Sequence, residues 1–456
     1  MIIDRTKKPA EKGELNFSLP EIKRFSLKNG LNVIFVEKKN LPITQLLLFV
    51  NGGSKSDPVN KKGLAFLTSM LIDEGAGGLD ALALDNEIEL LGSILRCSAN
   101  QDGFSVSMLT LFENFDRSLE LFSMVVTGPH FNEGDFEREK KKQLTKIIQL
   151  QDDPEYIANT AFRKILFDKT PYQPPVIGFH ETVENITVED VRNFYANTFT
   201  VQNSTLIVVG NISQSELHKK LDLQLGGWKT GDGYKIDLPA IKKPERATYF
   251  VHKEGAAQSE LRIGTISPGR KSPDFYARTI MNSILGGQFS SRINLNLRED
   301  KGFTYGAHSS FNFNRKAGSF VVSTGVESEH TEESVREIFK EFDGIKQKVL
   351  PEELKFSKSY LIKRYPSMFE TYSQVAGNLS MLPLYDLPDN YFNTYIEKLR
   401  RVTLENVLDA ARNTLRNENI VTVIVGDKKI LNGQFANYPE KIIKLDSAVI
   451  LSPGSI

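Results

Sequence analysis

Apolar residues along this chain keep two different rhythms. The runs 31–37 (LNVIFVE) and 44–50 (TQLLLFV) are short, rich in β-branched residues and separated by a turn of Asn, Leu and Pro, which predicts a pair of strands. From 63 to 75 the rhythm changes to GLAFLTSMLIDEG. Leu64, Leu67 and Leu71 recur at helical spacing, with Phe66 and Met70 beside them, so a buried helix is expected. Asp57-Pro58 upstream reads as a cap and a first-turn proline, and Gly75, with Gly77 and Gly78, as the stop. A second helix runs from an Asp80 cap to Leu91 and ends at Gly92. Strands at 93–99 and 104–111 follow, joined by the hairpin sequence NQDG. Helical spacing returns at 114–126, at 133–151 with Leu144, Ile147, Ile148 and Leu150 on the buried side, at 155–167 after Asp153-Pro154, and at 187–197 before a strand at 204–209.

The rhythm breaks at 226–246 (GGWKTGDGYKIDLPAIKKPER), which is rich in Gly, Pro and Lys and has no periodicity. It then restarts. Strands are expected at 248–252 and 259–265, a helix at 274–285, strands near 303–313 and 318–326, helices within 331–349, 352–364, 369–382 and 403–413, and a strand at 421–425. The halves also match in sequence. Thr187/Thr403, Glu189/Glu405, Val191/Val407, Asn203/Asn419 and Gly210/Gly426 pair at one ungapped offset of 216, which Glu137/Glu353 share. The expectation is a duplicated unit: a repeat at 1–228, a linker at 229–246 and a second repeat at 247–456. Each repeat interleaves helices with hairpin-linked strands. The fold class is therefore α+β, with a mixed, mainly antiparallel sheet per repeat.

Composition removes several function classes. With 40% hydrophobic and 25% charged residues this is an ordinary globular chain, and 57 Lys+Arg against 57 Asp+Glu leaves no net charge to attract nucleic acid or anionic membrane. No run approaches the roughly 20 apolar residues of a membrane span. The segment MIIDRTKKPAEKGELNF has no apolar h-region, so a cytoplasmic protein is expected, or a periplasmic one if a leader has been trimmed. The single cysteine, Cys97, excludes an internal disulfide and reads as buried filler. The six histidines form no pair four residues apart, and His180-Glu181 (HETVE) lacks a second histidine and reads as the start of a surface helix or loop.

The strand pair begun by LKNGLNVIFVE, the GLA…ML…G helix and, in the second half, SSRINLNLREDKGFTYGA together resemble the insulinase/pitrilysin-like metallopeptidases, in the branch like mitochondrial processing peptidase. The resemblance spans about Leu27 to Asp427. It implies one half of a clamshell. It also implies that active members carry H-x-x-E-H on the 63–75 helix, with two histidines on one helix face for zinc and a glutamate to polarise water. Gly63 and Gly75 match the flanking glycines without a gap. In that register the histidine positions hold Phe66 and Met70 and the glutamate position holds Ser69. The further glutamate ligand falls near 145–149, which reads TKIIQ. A phenyl ring and a thioether do not replace imidazole on Zn²⁺, so no metal is expected on this chain. Phe66 and Met70 are read as core packing.

What the resemblance leaves in place is Arg298 and Tyr305, seven residues apart in LREDKGFTY. In the family an Arg and a Tyr at this spacing, in the subunit without metal, reach across to the partner's zinc site and hold the substrate backbone and the developing oxyanion. A guanidinium offers a fixed fork of donors and a phenol one directed donor. GGQFSSR (286–292) lacks the GK[ST] ending of a phosphate loop and reads as a tight turn. Two functions are implied. One is a non-metal-binding subunit of a two-chain zinc metallopeptidase acting on unfolded peptides, paired in a heterodimer with a homologous HxxEH-bearing chain that carries the zinc. The other is a catalytically inert scaffold or peptide-binding homologue. Autonomous hydrolysis finds no support in a paired His, a reactive Cys setting or a GxSxG elbow.

Overall fold

The computed structural model describes residues 15, 17–231, 233, 239–436 and 438–455. Residues 1–14, on which the expectation about a leader rests, and residues 232 and 234–238 of the expected linker lie outside them. Two six-stranded mixed sheets form the frame. The first contains β1 (Ile22–Ser26), β2 (Asn32–Glu37), β3 (Ile43–Asn51), β4 (Ile94–Ala99), β5 (Gly103–Leu111) and β6 (Ser204–Gly210), in the order β1-β2-β6-β3-β5-β4. The second contains β7 (Ala247–His252), β8 (Gln258–Ser267), β9 (Ala307–Phe313), β10 (Gly318–Glu327), β11 (Val421–Gly426) and β12 (Ile442–Leu445), in the order β12-β7-β11-β8-β10-β9. The last five positions of each order correspond one to one. In both sheets the only parallel pair among these five is the one that brings the late strand beside the first, β2 with β6 and β7 with β11. One edge differs: β1 runs antiparallel to β2, whereas β12 runs parallel to β7.

The matched sequence stretches have matched structure. Thr187 and Thr403 each cap a helix in a capping box, accepting from the N–H of Asp190 and Asn406, ahead of the strands β6 and β11. Sequence reading missed the edge strands β1 and β12 and the helices Gln214–Leu225 and Tyr391–Arg401. The strand expected from 303 begins only at Ala307. In the helix Glu133–Leu150 the buried face is Phe136, Glu139, Gln143 and Ile147, while Ile148 is 52% exposed, which corrects the expected apolar face.

The central strands β2, β3, β6 and β11 are buried on both faces, which is why they read as nearly unbroken apolar runs. On the first sheet Val33, Phe35, Leu46, Leu48 and Val208 face the helices of their own half. Ile34, Val36, Leu47, Phe49 and Val209 face away, and there they meet Tyr372, Val375, Leu379 and Tyr391 from the far end of the chain. The second sheet is covered reciprocally: Val251, Val321, Val423 and Val425 pack on Ile157, Ala158, Ala161 and Phe162 of the helix Pro154–Leu166. Each half thus supplies the outer cover of the other's sheet. A buried polar knot joins them. Asp102 Oδ1 accepts from Lys55 Nζ at 2.9 Å and from Tyr172 OH at 2.8 Å, and Oδ2 accepts from the backbone N–H of Arg315 at 2.8 Å.

Candidate functional site

The first candidate region is the helix Leu64–Leu71. Its N-terminus is held from a distance. Asp57 is buried and accepts from the N–H of Gly63 and of Ala65, both at 2.9 Å. Asp57 therefore does cap the helix. Pro58 is not in its first turn, because a further short turn, Val59–Lys61, intervenes and Gly63 is the flanking residue. Burial pushes the Asp57 carboxyl up to about 7 against the opposing pull of those N–H groups. Gly63 is required twice over: its φ is 102°, and a Cβ there would lie 2.7 Å from the Ile177 carbonyl oxygen.

Leu64, Ala65, Leu67, Thr68, Ser69 and Leu71 are buried, but Phe66 and Met70 are only half-buried and stand outside the apolar core. Their expected place in that core is corrected: the helix turns its leucines inward, and positions four apart on the opposite side project toward the surface. Ser69 Oγ donates to the Phe66 carbonyl at 2.8 Å, so its hydroxyl is spent within its own helix. Residues 145, 146, 148 and 149 are exposed, and none of 145–149 is a carboxylate. Gln143 instead crosses to this helix, donating to the carbonyls of Gly63 at 3.1 Å and Ile177 at 2.7 Å. Among the described residues no three His, Cys, Asp or Glu side chains are grouped to hold a metal. The donor set at this helix does not fit zinc.

The second region runs from Gly286 to Ser309. Gly286 closes the helix Phe275–Leu285, and a Cβ there would fall 2.5 Å from Ser309 Oγ. The chain then passes through a short helical turn, Arg292–Asn294, into six residues of π-helix, Leu295–Asp300. Single π turns of this kind often mark functional sites. Arg292 makes a two-pronged ion pair with Glu353, Nε and Nη2 each at 2.7 Å, and a third bond to the Lys348 carbonyl. Burial pushes the Glu353 carboxyl up, but the bonds from Arg292 and the Leu350 N–H outweigh it and leave its pKa lowered. Asn296 Nδ2 donates to Glu337 at 2.9 Å and Glu341 at 2.8 Å. Asn294 bridges the Phe289 carbonyl at 2.7 Å and the Ala307 N–H at 3.1 Å. Thr304 ties the following loop to the Gly325 carbonyl at 2.7 Å.

The inner side of this segment is fixed and its outer side is bare. Tyr305 is 91% exposed, so it does not pack in a strand, and Phe289 is 60% exposed. The Arg298 guanidinium lies 4.6 Å from the Phe289 ring centroid and 3.5 Å from the Glu299 carboxylate. Sequence reasoning singled out Arg298 and Tyr305 but not Arg292, Asn294 and Asn296, which anchor the segment that carries them. The available signal was the alternation RINLNL, where polar residues sit among apolar ones in a helical stretch. Cys97 packs against the core with its thiol pushed up by burial and by Asp73. His180 begins a five-residue helix.

The family model described as insulinase (peptidase family M16) matches residues 32–178, and the model described as peptidase M16 inactive domain matches 185–361. The chain belongs to the insulinase-like M16 family. The M16 likeness extends over nearly the whole length. A protein of Helicobacter pylori named non-peptidase homolog YmxG is 24% identical over 402 residues, 87% of this chain and 92% of that protein. The crystal structure of a peptidase M16 inactive domain from Pseudomonas fluorescens has a TM-score of 0.85 at 25% identity, over 90% of this chain and 98% of that one. A chain of complex III2 from Candida albicans has a TM-score of 0.76 at 14% identity, over 96% of this chain and all of that one (100%). Among the described residues no helix is long and apolar enough to cross a membrane.

Proposed function

We propose that this chain is the metal-free subunit of a two-chain M16 peptidase. It would contribute Arg298 and Tyr305 to a site whose zinc belongs to a homologous HxxEH-bearing partner. The observation that carries the reading is the contrast at 286–309: a segment anchored from beneath by Arg292, Asn294 and Asn296 that presents an arginine and a 91% exposed tyrosine outward. A solvent-facing phenol with nothing to pack on gains its use when something covers it. Held on a rigid turn, the guanidinium fork can take a peptide carbonyl and the phenol can donate to the oxygen on which charge develops. Donors placed in advance are what such stabilisation needs. Extended, unfolded peptides are the substrates this backbone-directed chemistry suits.

The test is to mix the purified chain with an HxxEH-bearing M16 chain from the same organism and follow cleavage of a peptide library. Turnover should need both chains, and Arg298→Ala should lower it about 10²-fold or more; a loss within about twofold rejects the role. A second reading has its own support. Arg298 already has Glu299 and the Phe289 ring as local partners, which suits an inert scaffold whose exposed patch only binds. Stable association with the HxxEH chain, without any gain in peptide turnover, would favour it.

A further inference from the structure

A cavity of about 720 Å³ opens between the start of the helix Phe275–Leu285 and the helices Tyr391–Arg401 and Leu404–Thr414. Its size is that of a site for a small organic molecule. One wall is apolar, formed by Phe275, Leu387, Pro388 and Val402. The charges around it do not balance. Asp274 is engaged by Arg278, Asp409 by Arg412, Lys271 by Asp386 and Arg401 by Glu397. Two cations remain without a carboxylate among the described residues: Arg270 and Lys398. Lys398 Nζ rests 5.4 Å from the Tyr276 ring centroid.

Arg270 is the unusual group. Its guanidinium lies among four aromatic rings, 4.9 Å from Phe275, 5.5 Å from Tyr385 and Tyr391, and 5.8 Å from Phe313. Its Nε is buried and has no hydrogen-bond partner, and the same holds for the hydroxyls of Tyr276 and Tyr391. Tyr391 is only 5% exposed. The three groups are close enough for the Arg270 charge to oppose the rise that burial imposes on the Tyr391 phenol. No bond of good geometry closes among them. Buried donors left unmade cost free energy, and here three belong to residues that line one cavity.

We propose that this cavity binds a small organic anion. A carboxylate or phosphate head would be held by Arg270, Lys398 and the Tyr391 hydroxyl, and an apolar or aromatic body would lie on Phe275, Leu387 and Val402. An arginine fork suits either oxyanion, and an apolar body is what the wall offers. The inference does not depend on the peptidase reading. The cavity sits at the N-terminal end of the helix whose other end, about 16 Å away at 1.5 Å per residue, turns at Gly286 into the Arg298 segment.

The test is calorimetric titration of the full chain with phenylacetate and with phenyl phosphate, set against benzyl alcohol and inorganic phosphate. At least one aromatic anion should bind, and both controls should be at least about tenfold weaker. Which anion wins identifies the head group. Arg270→Met and Lys398→Met should each weaken that binding about tenfold. Arg270→Met also strips a cation from four rings, so Tyr391→Phe decides if that variant fails to fold. It removes only a buried, unpartnered hydroxyl, so thermal stability should hold or rise while affinity falls. The proposal is overturned if neither anion binds, if benzyl alcohol binds equally well, or if Lys398→Met and Tyr391→Phe bind like the unaltered chain.

Discussion

The helix Leu64–Leu71 and the segment 286–309 lie in corresponding halves built on the same strand order, yet they are finished in opposite ways. The helix is held at one end by the buried Asp57, crowded at Gly63 and crossed by Gln143. Its half-buried positions carry a phenyl ring and a thioether, and the Ser69 hydroxyl bonds back to its own backbone. The second segment has comparable anchoring underneath, from Arg292, Asn294 and Asn296, but its outward side chains lack a packed partner equal to their size. The lesson is that anchoring alone does not distinguish scaffold from site. What distinguishes them is whether the projecting groups can do chemistry and whether they are left open.

The relation between the two regions can be broken at Asp102, which ties Lys55 and Tyr172 of one half to the Arg315 backbone of the other. Asp102→Ala leaves the Lys55 ammonium buried without its carboxylate, and burial already lowers the Lys55 pKa. Chemical denaturation should show a loss of about 3–5 kcal/mol, the usual effect of removing one member of a buried pair. A loss near zero would mean the halves are held by their exchanged helices alone.

The functional side of the comparison is sharpened by Tyr305→Phe. With the HxxEH partner present, peptide turnover should fall by about 10²-fold, roughly 2.7 kcal/mol, if the hydroxyl is a donor to the developing charge. Melting temperature should not move, because the ring packs against nothing. An unchanged rate would leave the segment as a binding patch only.

Asp57 gives the scaffold side a pH signature. Its folded pKa, about 7, lies above the 3.8 of an ordinary Asp. Between those values the folded state holds the proton more firmly than the unfolded chain does. This carboxyl therefore makes stability fall as pH rises from about 4 to about 7, by up to about 1.4 kcal/mol per pH unit. Relative to Asp57→Asn, the unaltered chain should lose denaturation free energy over that window. Parallel curves would show that the N–H groups of Gly63 and Ala65 have cancelled the burial penalty. The smallest effect is expected at Phe66. Leu67→Ala should cost about 2–5 kcal/mol as a core truncation, whereas Phe66→Ala, on a half-buried surface, should cost about 1 kcal/mol or less. Equal losses would return Phe66 to the core.

Much of this was legible in the residues. The strands β2, β3, β6 and β11 carry nearly unbroken apolar runs because they are buried on both faces, and such runs are hard to mistake. The Thr187 and Thr403 caps carry their own signal, a hydroxyl followed three residues later by Asp or Asn. The edge strands β1 and β12 were hidden, since IKRFS and IIKL are short and half-solvated. The helix Tyr391–Arg401 was hidden for another reason. Its apolar residues, Tyr391, Phe392, Ile396 and Leu399, serve in part the far sheet, and nothing local announces that destination. At the site, the Arg298–Tyr305 spacing could be read from the chain. The grip of Glu353 on Arg292 could not, although Glu353 is one of the residues repeated at the 216 offset.

By itself, the sequence determined the duplication, the strand and helix periods and the lack of histidine in 63–75. These depend on residue type and local spacing, and both are present in the string. The tertiary structure alone decided that each half covers the other's sheet, that Phe66 and Met70 stand outside the core, that Tyr305 is open to solvent, and that Arg270 and two tyrosines meet at one cavity. Those outcomes depend on which of several apolar faces meet across hundreds of residues. Burial and long-range pairing are collective properties of the packed chain, which no local pattern specifies.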